Sequence, residues 1–214
     1  TGLVEVPMGT TFDVIVNKIT GGVERGRELK AVHVGGPLGY MIPPALMDLE
    51  ITYENLKKHQ LGMGSGGILV LDDRTCVVNM VRYFTAYVDK QSCGKCIPCR
   101  EGTRRMAEVM ERICSRPADE PDQSALDRFR GVLEMESLSG VMKDTSLCGL
   151  GQNAPNPVMS SLKYFREEYE AHVFDRVCPS NICTQLRSWF IDVDLCTGCS
   201  ICAKRCPAEA VSYT

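Results

Sequence analysis

The sequence predicts an α+β chain: a small mixed unit, then a bundle of four helices, then a short cysteine-rich tail. Three observations predict it. Residues 1–72 mix short strand-like and helix-like patterns separated by glycine turns. Residues 73–175 hold four stretches with apolar side chains at helical spacing. Of the 12 cysteines, Cys93, Cys96, Cys99 and Cys196, Cys199, Cys202, Cys206 form two tight runs. Residues 176–189 connect the helical region to the tail at 190–214.

The mixed unit opens with the alternating run Leu3-Val4-Glu5-Val6. Apolar residues at Phe12, Ile15, Val16 and Ile19 then have helical spacing, and Gly21-Gly22 ends that helix. Leu29 to Val34 reads as a strand before Gly35-Gly36-Pro37. His33 sits between Val32 and Val34, and that alternation points it to solvent or to a partner. Gly62-Met63-Gly64-Ser65-Gly66-Gly67 fits the pattern G-x-G-x-x-G. A dinucleotide site needs a helix after such glycines, whereas Ile68 to Leu71 reads as a strand, so a turn or close-packed loop is expected without a bound nucleotide.

In the helical region, Asp73 or Thr75 is the expected cap of a helix carrying Val77, Val81, Phe84 and Val88 on one face. A second helix starts near Arg100 with Met106, Val109, Met110 and Ile113 inward, and Pro117 lies beyond its end. A third runs from about Asp122 to Ser139 with Leu126, Phe129 and Leu133 inward. A fourth begins at Pro157 under an Asn156 cap and shows Val158, Leu162, Phe165 and Tyr169. The methionines are expected to fill the core.

Cys93, Cys96 and Cys99 lie between the first and second helices at C-x2-C-x2-C spacing. Three thiolates in so short a loop can converge on one centre, which suits a [4Fe-4S] cluster with a fourth thiolate from elsewhere. Zinc more often uses two separated pairs. The fourth ligand is expected to be Cys148, flanked by Leu147 and by Gly149-Leu150-Gly151 between the third and fourth helices. Both connections leave an up-down bundle at the same end, and Lys95, Arg100, Arg104 and Arg105 are close by in sequence. Those cations either raise the potential of the cluster or are ordinary solvated charges.

In the tail, Cys196, Cys199, Cys202 and Cys206-Pro207 follow C-x2-C-x2-C-x3-C-P, the bacterial ferredoxin run, preceded by a short strand at Phe190 to Val193. In two-cluster ferredoxins the last cysteine of the run serves the other cluster. His172, Cys178 and Cys183 belong to neither run. With one of the spare thiols Cys76 and Cys114, Cys76 being preferred, they are candidate ligands of a structural zinc that would pin the connector. The alternative reading is two buried thiols and a histidine cation at a helix C-terminus.

Bulk properties narrow the function classes. Lys+Arg number 24 against 27 Asp+Glu, a net charge of -3 that gives no basic footprint for nucleic acid. No apolar run reaches membrane-spanning length and no secretory leader is visible. Thiolates arranged for clusters need reduction, which points to a cytoplasmic setting. The sequence runs from Thr1 to Thr214 and reads as a segment of a longer protein.

With both cysteine patterns in place, the chain resembles the C-terminal half of the NADH-oxidising flavoprotein subunit. That subunit is shared by complex I and by NAD(P)-reducing or bifurcating hydrogenases and formate dehydrogenases. Ser92 to Gly102 is similar to that family's cluster loop, Thr145 to Gly151 to its fourth-ligand segment, and Thr1 to Leu71 to its soluble-ligand-binding β-grasp (SLBB) domain. The ferredoxin-like tail and the Cys178 to Cys183 segment lean toward the hydrogenase and formate dehydrogenase branch. The resemblance implies FMN and NAD(P) sites in a region preceding Thr1, so these residues alone are not expected to oxidise NADH. It also implies two partners: a thioredoxin-like 2Fe-2S subunit and a catalytic hydrogenase or formate dehydrogenase subunit. The implied role is to relay single electrons from the flavin. The competing function is a zinc-stabilised interaction module without redox chemistry.

Overall fold

The computed structural model describes residues 1–116, 124–187, 191–206 and 211. Its N-terminal unit is organised on three strands, β1 (Leu29–Val34), β2 (Tyr40–Ile42) and β3 (Ile68–Asp72), in the order β2-β1-β3 with both pairings antiparallel. Leu3 to Val6 adds no strand, and Leu3 is exposed. The predicted first helix is present, and Val14–Ile19 within it is wound as a π-helix, with the Thr20 amide bonding the Ile15 carbonyl. A short helix, α1 (Tyr53–Lys58), starts where Thr52 Oγ1 accepts from the Asn55 amide at 3.1 Å.

The sheet is covered on both faces. Val32, Val34 and Ile42 point into a core with Phe12, Val16 and Leu56, while Ala31, Met41 and Leu71 join the core of the helical region. This overturns the expectation for His33, which is 2% exposed and stacks on Phe84 with ring centroids 4.4 Å apart. Strand alternation does separate His33 from Val32 and Val34, but the outer face of the sheet is sealed by helices rather than by water. The glycine stretch Gly62 to Gly67 leads into β3 as expected. At Gly64, with φ +51°, a Cβ would lie 2.7 Å from the Gly35 Cα, so the two loops touch backbone to backbone.

The helical region consists of α2 (Val77–Gln91), α3 (Ile97–Cys114), α4 (Ser124–Thr145), α5 (Gly149–Asn153), α6 (Asn156–Tyr164) and α7 (Arg166–Glu170), and α7 continues into a π-helical turn, Ala171–Asp175. The tail contributes α8 (Ile201–Arg205). Helix α2 packs on α3 and α6, α3 packs on α4 and α5, and α6 lies against β2. The predicted inner faces of α2 and α3 are buried, with Met106, Met110, Met135 and Met142 in the core.

Several details differ from the sequence reading. Neither Asp73 nor Thr75 caps α2; Cys76 does, its Sγ accepting from the Asn79 amide at 3.3 Å. Helix α4 turns a different face inward: Leu126 and Leu133 are 49% and 45% exposed, whereas Arg128, Gly131, Val132, Met135, Ser139 and Met142 are buried. Gly131 permits this, because a Cβ there would stand 2.9 Å from Val109 Cγ1. The single predicted fourth helix is split into α6 and α7 at Phe165, where φ is -130° and ψ 37°. Asn156 is the first residue of α6 rather than its cap, and its amide donates to the Leu38 carbonyl and to Asn153 Oδ1. Residues 191–193 run without strand pairing, and Asp122, Pro117, Phe190 and Pro207 lie outside the described residues. Among the described residues, no helix is long and apolar enough to cross a membrane.

Candidate functional site

Among the described residues, three groups of cysteines are candidate sites. The first lies where α2 hands over to α3. Helix α2 ends at Ser92, whose Oγ accepts from the Gly94 amide at 3.3 Å and lies 3.4 Å from Cys99 Sγ. Cys96 stands at the N-cap of α3 with Pro98 in the first turn, and Arg100 Nη1 donates to the Gly94 carbonyl at 3.1 Å. The loop is therefore folded back onto the helix it precedes.

Cys148 stands at the N-cap of α5, on the connection that follows α4. The approach of α5 to α3 depends on Gly151, where a Cβ would meet Ser146 Oγ at 2.6 Å and Cys99 Cβ at 2.9 Å. The Leu147 amide donates to the Cys96 sulfur, which holds the Cys96 thiol below the ordinary range, helped by the Cys99 amide. Burial pushes Cys99 up, and the charges of Cys96, Cys148 and Cys93 push in the same direction. These four sulfurs are thus electrostatic neighbours, with Cys99 buried and Cys93 and Cys148 exposed. Ser146 Oγ is buried and has no hydrogen-bond partner among the described residues. An idle hydroxyl packed beside Cys99 fits a sulfur-rich group that would accept from it.

Of the cations of α3, Arg100 holds the Gly94 carbonyl and pairs with Glu101 at 2.9 Å, while Arg104 and Arg105 are engaged elsewhere. Arg104 pairs with Glu108 at 3.2 Å, and Arg105 pairs with Glu134 at 2.7 Å and with Glu108 at 3.3 Å. They are surface ion pairs. Lys95 is exposed.

The second site is the tail. Gly198 and Ser200 take positive φ values of 69° and 57°, and this tight turn precedes α8. The Ile201 amide and the Thr197 side chain hydrogen-bond the Cys199 sulfur and lower its pKa. Cys196, Cys199 and Cys202 are exposed and Cys206 is half-buried.

The third site is formed by Cys76, His172, Cys178 and Cys183, all buried, whose ligand atoms lie within 4.8 Å of one another. Each comes from a different local structure: the cap of α2, the π-helical turn after α7, and the two sides of the Cys178–Cys183 loop. His172 Nε2 is 3.3 Å from Cys76 Sγ and 3.5 Å from Cys183 Sγ, and Cys76 Sγ is 3.9 Å from Cys183 Sγ. A tetrahedral zinc with Zn–S about 2.3 Å and Zn–N about 2.0–2.1 Å has S···S edges of about 3.8 Å and S···N edges of about 3.5 Å. His172 Nδ1 is 2.6 Å from the Glu168 carbonyl, so it carries the proton and leaves Nε2 free to ligate.

The protonation of the metal-free site follows from its crowding. The Cys178 thiol is strongly lowered, because Cys183 and Cys76 donate to its sulfur. Cys76 is raised by Cys178 and Cys183, and Cys183 is raised by Cys114 and Cys178. Burial alone would lower His172, but the sulfurs of Cys178 and Cys76 hold it up at about 10. Cys114 is thus a buried neighbour of the site outside the set of four.

Comparison with known proteins gives a consistent picture. Residues 79–172 match the model of the NADH-ubiquinone oxidoreductase-F iron-sulfur binding region, and residues 189–212 match a 4Fe-4S binding domain. Over 213 residues the chain is 42% identical to the NADP-reducing hydrogenase subunit HndC of Solidesulfovibrio fructosivorans, covering all of this chain and 42% of that protein. It is 35% identical over 178 residues to the F subunit of the NADH-quinone oxidoreductase of Streptomyces coelicolor, covering 83% of this chain and 37% of that one. A crystal structure of an NAD+-reducing [NiFe]-hydrogenase in the H2-reduced state superposes with a TM-score of 0.63 at 27% identity, over 78% of this chain and 26% of the other. The chain therefore spans about two fifths of the length of these two relatives. A zinc-stabilised module without redox chemistry is not supported, because both matched regions are iron–sulfur binding ones.

Proposed function

We propose, from the membership of residues 79–172 in the NADH-ubiquinone oxidoreductase-F iron-sulfur binding family and of residues 189–212 in the 4Fe-4S binding family, that this chain is the electron-transfer segment of an NAD(P)H-linked oxidoreductase subunit. The observation that supports the proposal is that Cys93, Cys96 and Cys148 all lie near enough to Cys99 for their charges to act on its thiol. A [4Fe-4S] cluster held by those four residues supplies one-electron exchange. The chain's part is to present thiolates, to direct the Leu147 and Cys99 amides at Cys96, and to bury Cys99 while leaving Cys93 and Cys148 at the surface. Amide dipoles aimed at sulfur favour the more negative, reduced state.

Cys196, Cys199 and Cys202 are the ligands proposed for a ferredoxin-type cluster, with Cys206 serving a second one. Cys76, His172, Cys178 and Cys183 are proposed to hold a structural zinc, on the agreement of their spacing with a tetrahedral edge. Residues 1–72 are read as an SLBB-type β-grasp scaffold and residues 73–175 as a four-helix cluster-binding bundle. FMN and NAD(P) are assigned to the remainder of the full-length subunit. Its partners are a thioredoxin-like 2Fe-2S subunit and a catalytic hydrogenase or formate dehydrogenase subunit, in a reducing cytoplasmic setting. The name of the relative HndC, an NADP-reducing hydrogenase subunit, favours the hydrogenase branch.

Anaerobic purification with iron and acid-labile sulfide analysis tests the reading. A brown protein whose visible absorbance bleaches on reduction is expected. A colourless, iron-free protein from the same preparation would refute it.

A further inference from the structure

The residue that ties the four-ligand site together is outside every cysteine motif. Lys30 lies on β1, where pairing with β3 shifts: Leu29 opposes Asp72 and Ala31 opposes Leu71, so Lys30 is the extra residue of a β-bulge. Bulges redirect a side chain out of the regular alternation. Here the ammonium reaches three acceptors, the Glu168 carboxylate at 2.6 Å, the Thr75 carbonyl at 2.6 Å and Ser180 Oγ at 3.0 Å. A lysine has three N–H donors, and all three are used.

Each acceptor belongs to a segment that supplies a ligand. Thr75 precedes Cys76. Ser180 lies inside the Cys178–Cys183 loop and its hydroxyl also donates to the Thr75 carbonyl at 3.0 Å. Glu168 stands one helical turn before His172 and fixes it twice. Its carbonyl takes the His172 Nδ1 proton, and its other carboxylate oxygen accepts from the Val77 amide at 3.1 Å, next to Cys76. The Lys30 and Glu168 side chains are 18% and 12% exposed, so this ion pair is largely shielded from solvent.

We propose that Lys30 is a positioning residue of the Cys76, His172, Cys178, Cys183 site, and that its contacts to Thr75, Ser180 and Glu168 set how long a metal ion stays there. The proposal rests on the reading of that site as a metal site. Preassembling the segments lowers the ordering cost of closing four ligands on an ion, and opening any one segment must first break a Lys30 contact. The arrangement also couples two parts of the fold. Because Lys30 belongs to the sheet, metal binding strengthens the docking of that strand on the helical region, and docking strengthens metal binding by the same factor.

The test is zinc transfer from the purified protein to a chromophoric chelator, with zinc and iron content measured first. Lys30→Met is expected to release zinc about tenfold faster or more, in the range found for residues that support metal ligands. Its iron content should be unchanged. The cobalt-substituted form should show an altered visible band, which a change in general stability would not produce. Glu168→Gln keeps an acceptor for the Val77 amide and removes only the charge. It is the milder variant, expected to change in the same direction, and it decides the question if Lys30→Met does not fold. Zinc release at the wild-type rate from folded variants overturns the role of Lys30 while leaving the metal site intact. A wild-type protein that neither contains nor takes up zinc overturns the metal-site reading and this inference with it.

Discussion

His172 Nε2 lies 3.3 Å from Cys76 Sγ across a sequence separation of 96 residues. The pair closes a site whose other members, Cys178 and Cys183, follow His172 directly along the chain. Metal analysis of the purified protein is expected to find one zinc besides iron. His172→Ala should lose it and keep its iron. The variant also leaves buried thiols without a partner, which costs about 3–5 kcal/mol when a paired buried charge is stripped of its mate. Thermal unfolding should show that loss.

Proton balance makes the same site pH-dependent. Without metal, His172 is held up at about 10 from 6.5 by the Cys178 and Cys76 sulfurs, against burial. Its contribution to the metal-free fold is therefore fully present below about pH 6.5 and is lost as pH rises through about 10. Zinc needs a neutral imidazole and three thiolates, so uptake near neutrality should release roughly three protons, from His172, Cys76 and Cys183. Metal-free protein is thus expected to unfold more readily as the medium becomes alkaline, while zinc retention fails on acidification. Melting curves of the two forms across pH, with proton release followed by an indicator dye, check both signs.

Gly151→Ala should affect the first cluster site selectively. The added Cβ would stand within 2.6 Å of Ser146 Oγ and 2.9 Å of Cys99 Cβ, so α5 must back away from α3. Iron content should fall by the share of one cluster while zinc stays bound. Full iron loading in that variant would show that Cys148 can reach the centre by another path.

Arg104→Ala is expected to change little. Its partner Glu108 is exposed, and exposed pairs of this kind are worth about 0.2–1 kcal/mol. A redox titration should give the wild-type midpoint. A clear fall in potential would mean that the guanidinium acts on the cluster despite its pairing.

How much of this was legible in the sequence depends on what kind of information each feature uses. The cysteine runs, the β1 strand and the buried faces of α2 and α3 could be read from spacing and residue chemistry; in the sequence Cys76 is only the preferred one of two spare thiols, and it is the fold that brings it to His172. His33 could not, because alternation tells which residues share a face and not whether helices will cover it. The inward face of α4 is hard to read because Arg128, Gly131 and Ser139 share it with Val132, Met135 and Met142. Gly131 and Ser139 pack there, the latter bonding the Met135 carbonyl, while Leu126 and Leu133 lie outward. The fourth helix looked continuous because its apolar spacing persists across the break at Phe165. Lys30 leaves no signal at all: a bulge is a property of pairing between β1 and β3, and its three partners lie 45 to 150 residues away.

The most direct test of the central claim is the paramagnetic spectrum of the chemically reduced protein and of its Cys148→Ala variant. The wild type should show the signal of a reduced [4Fe-4S] cluster from the first site, and the variant should lose that signal or convert it to that of a three-iron cluster. A variant whose reduced spectrum and iron content equal those of the wild type would contradict the assignment of Cys93, Cys96, Cys99 and Cys148 to one electron-carrying centre.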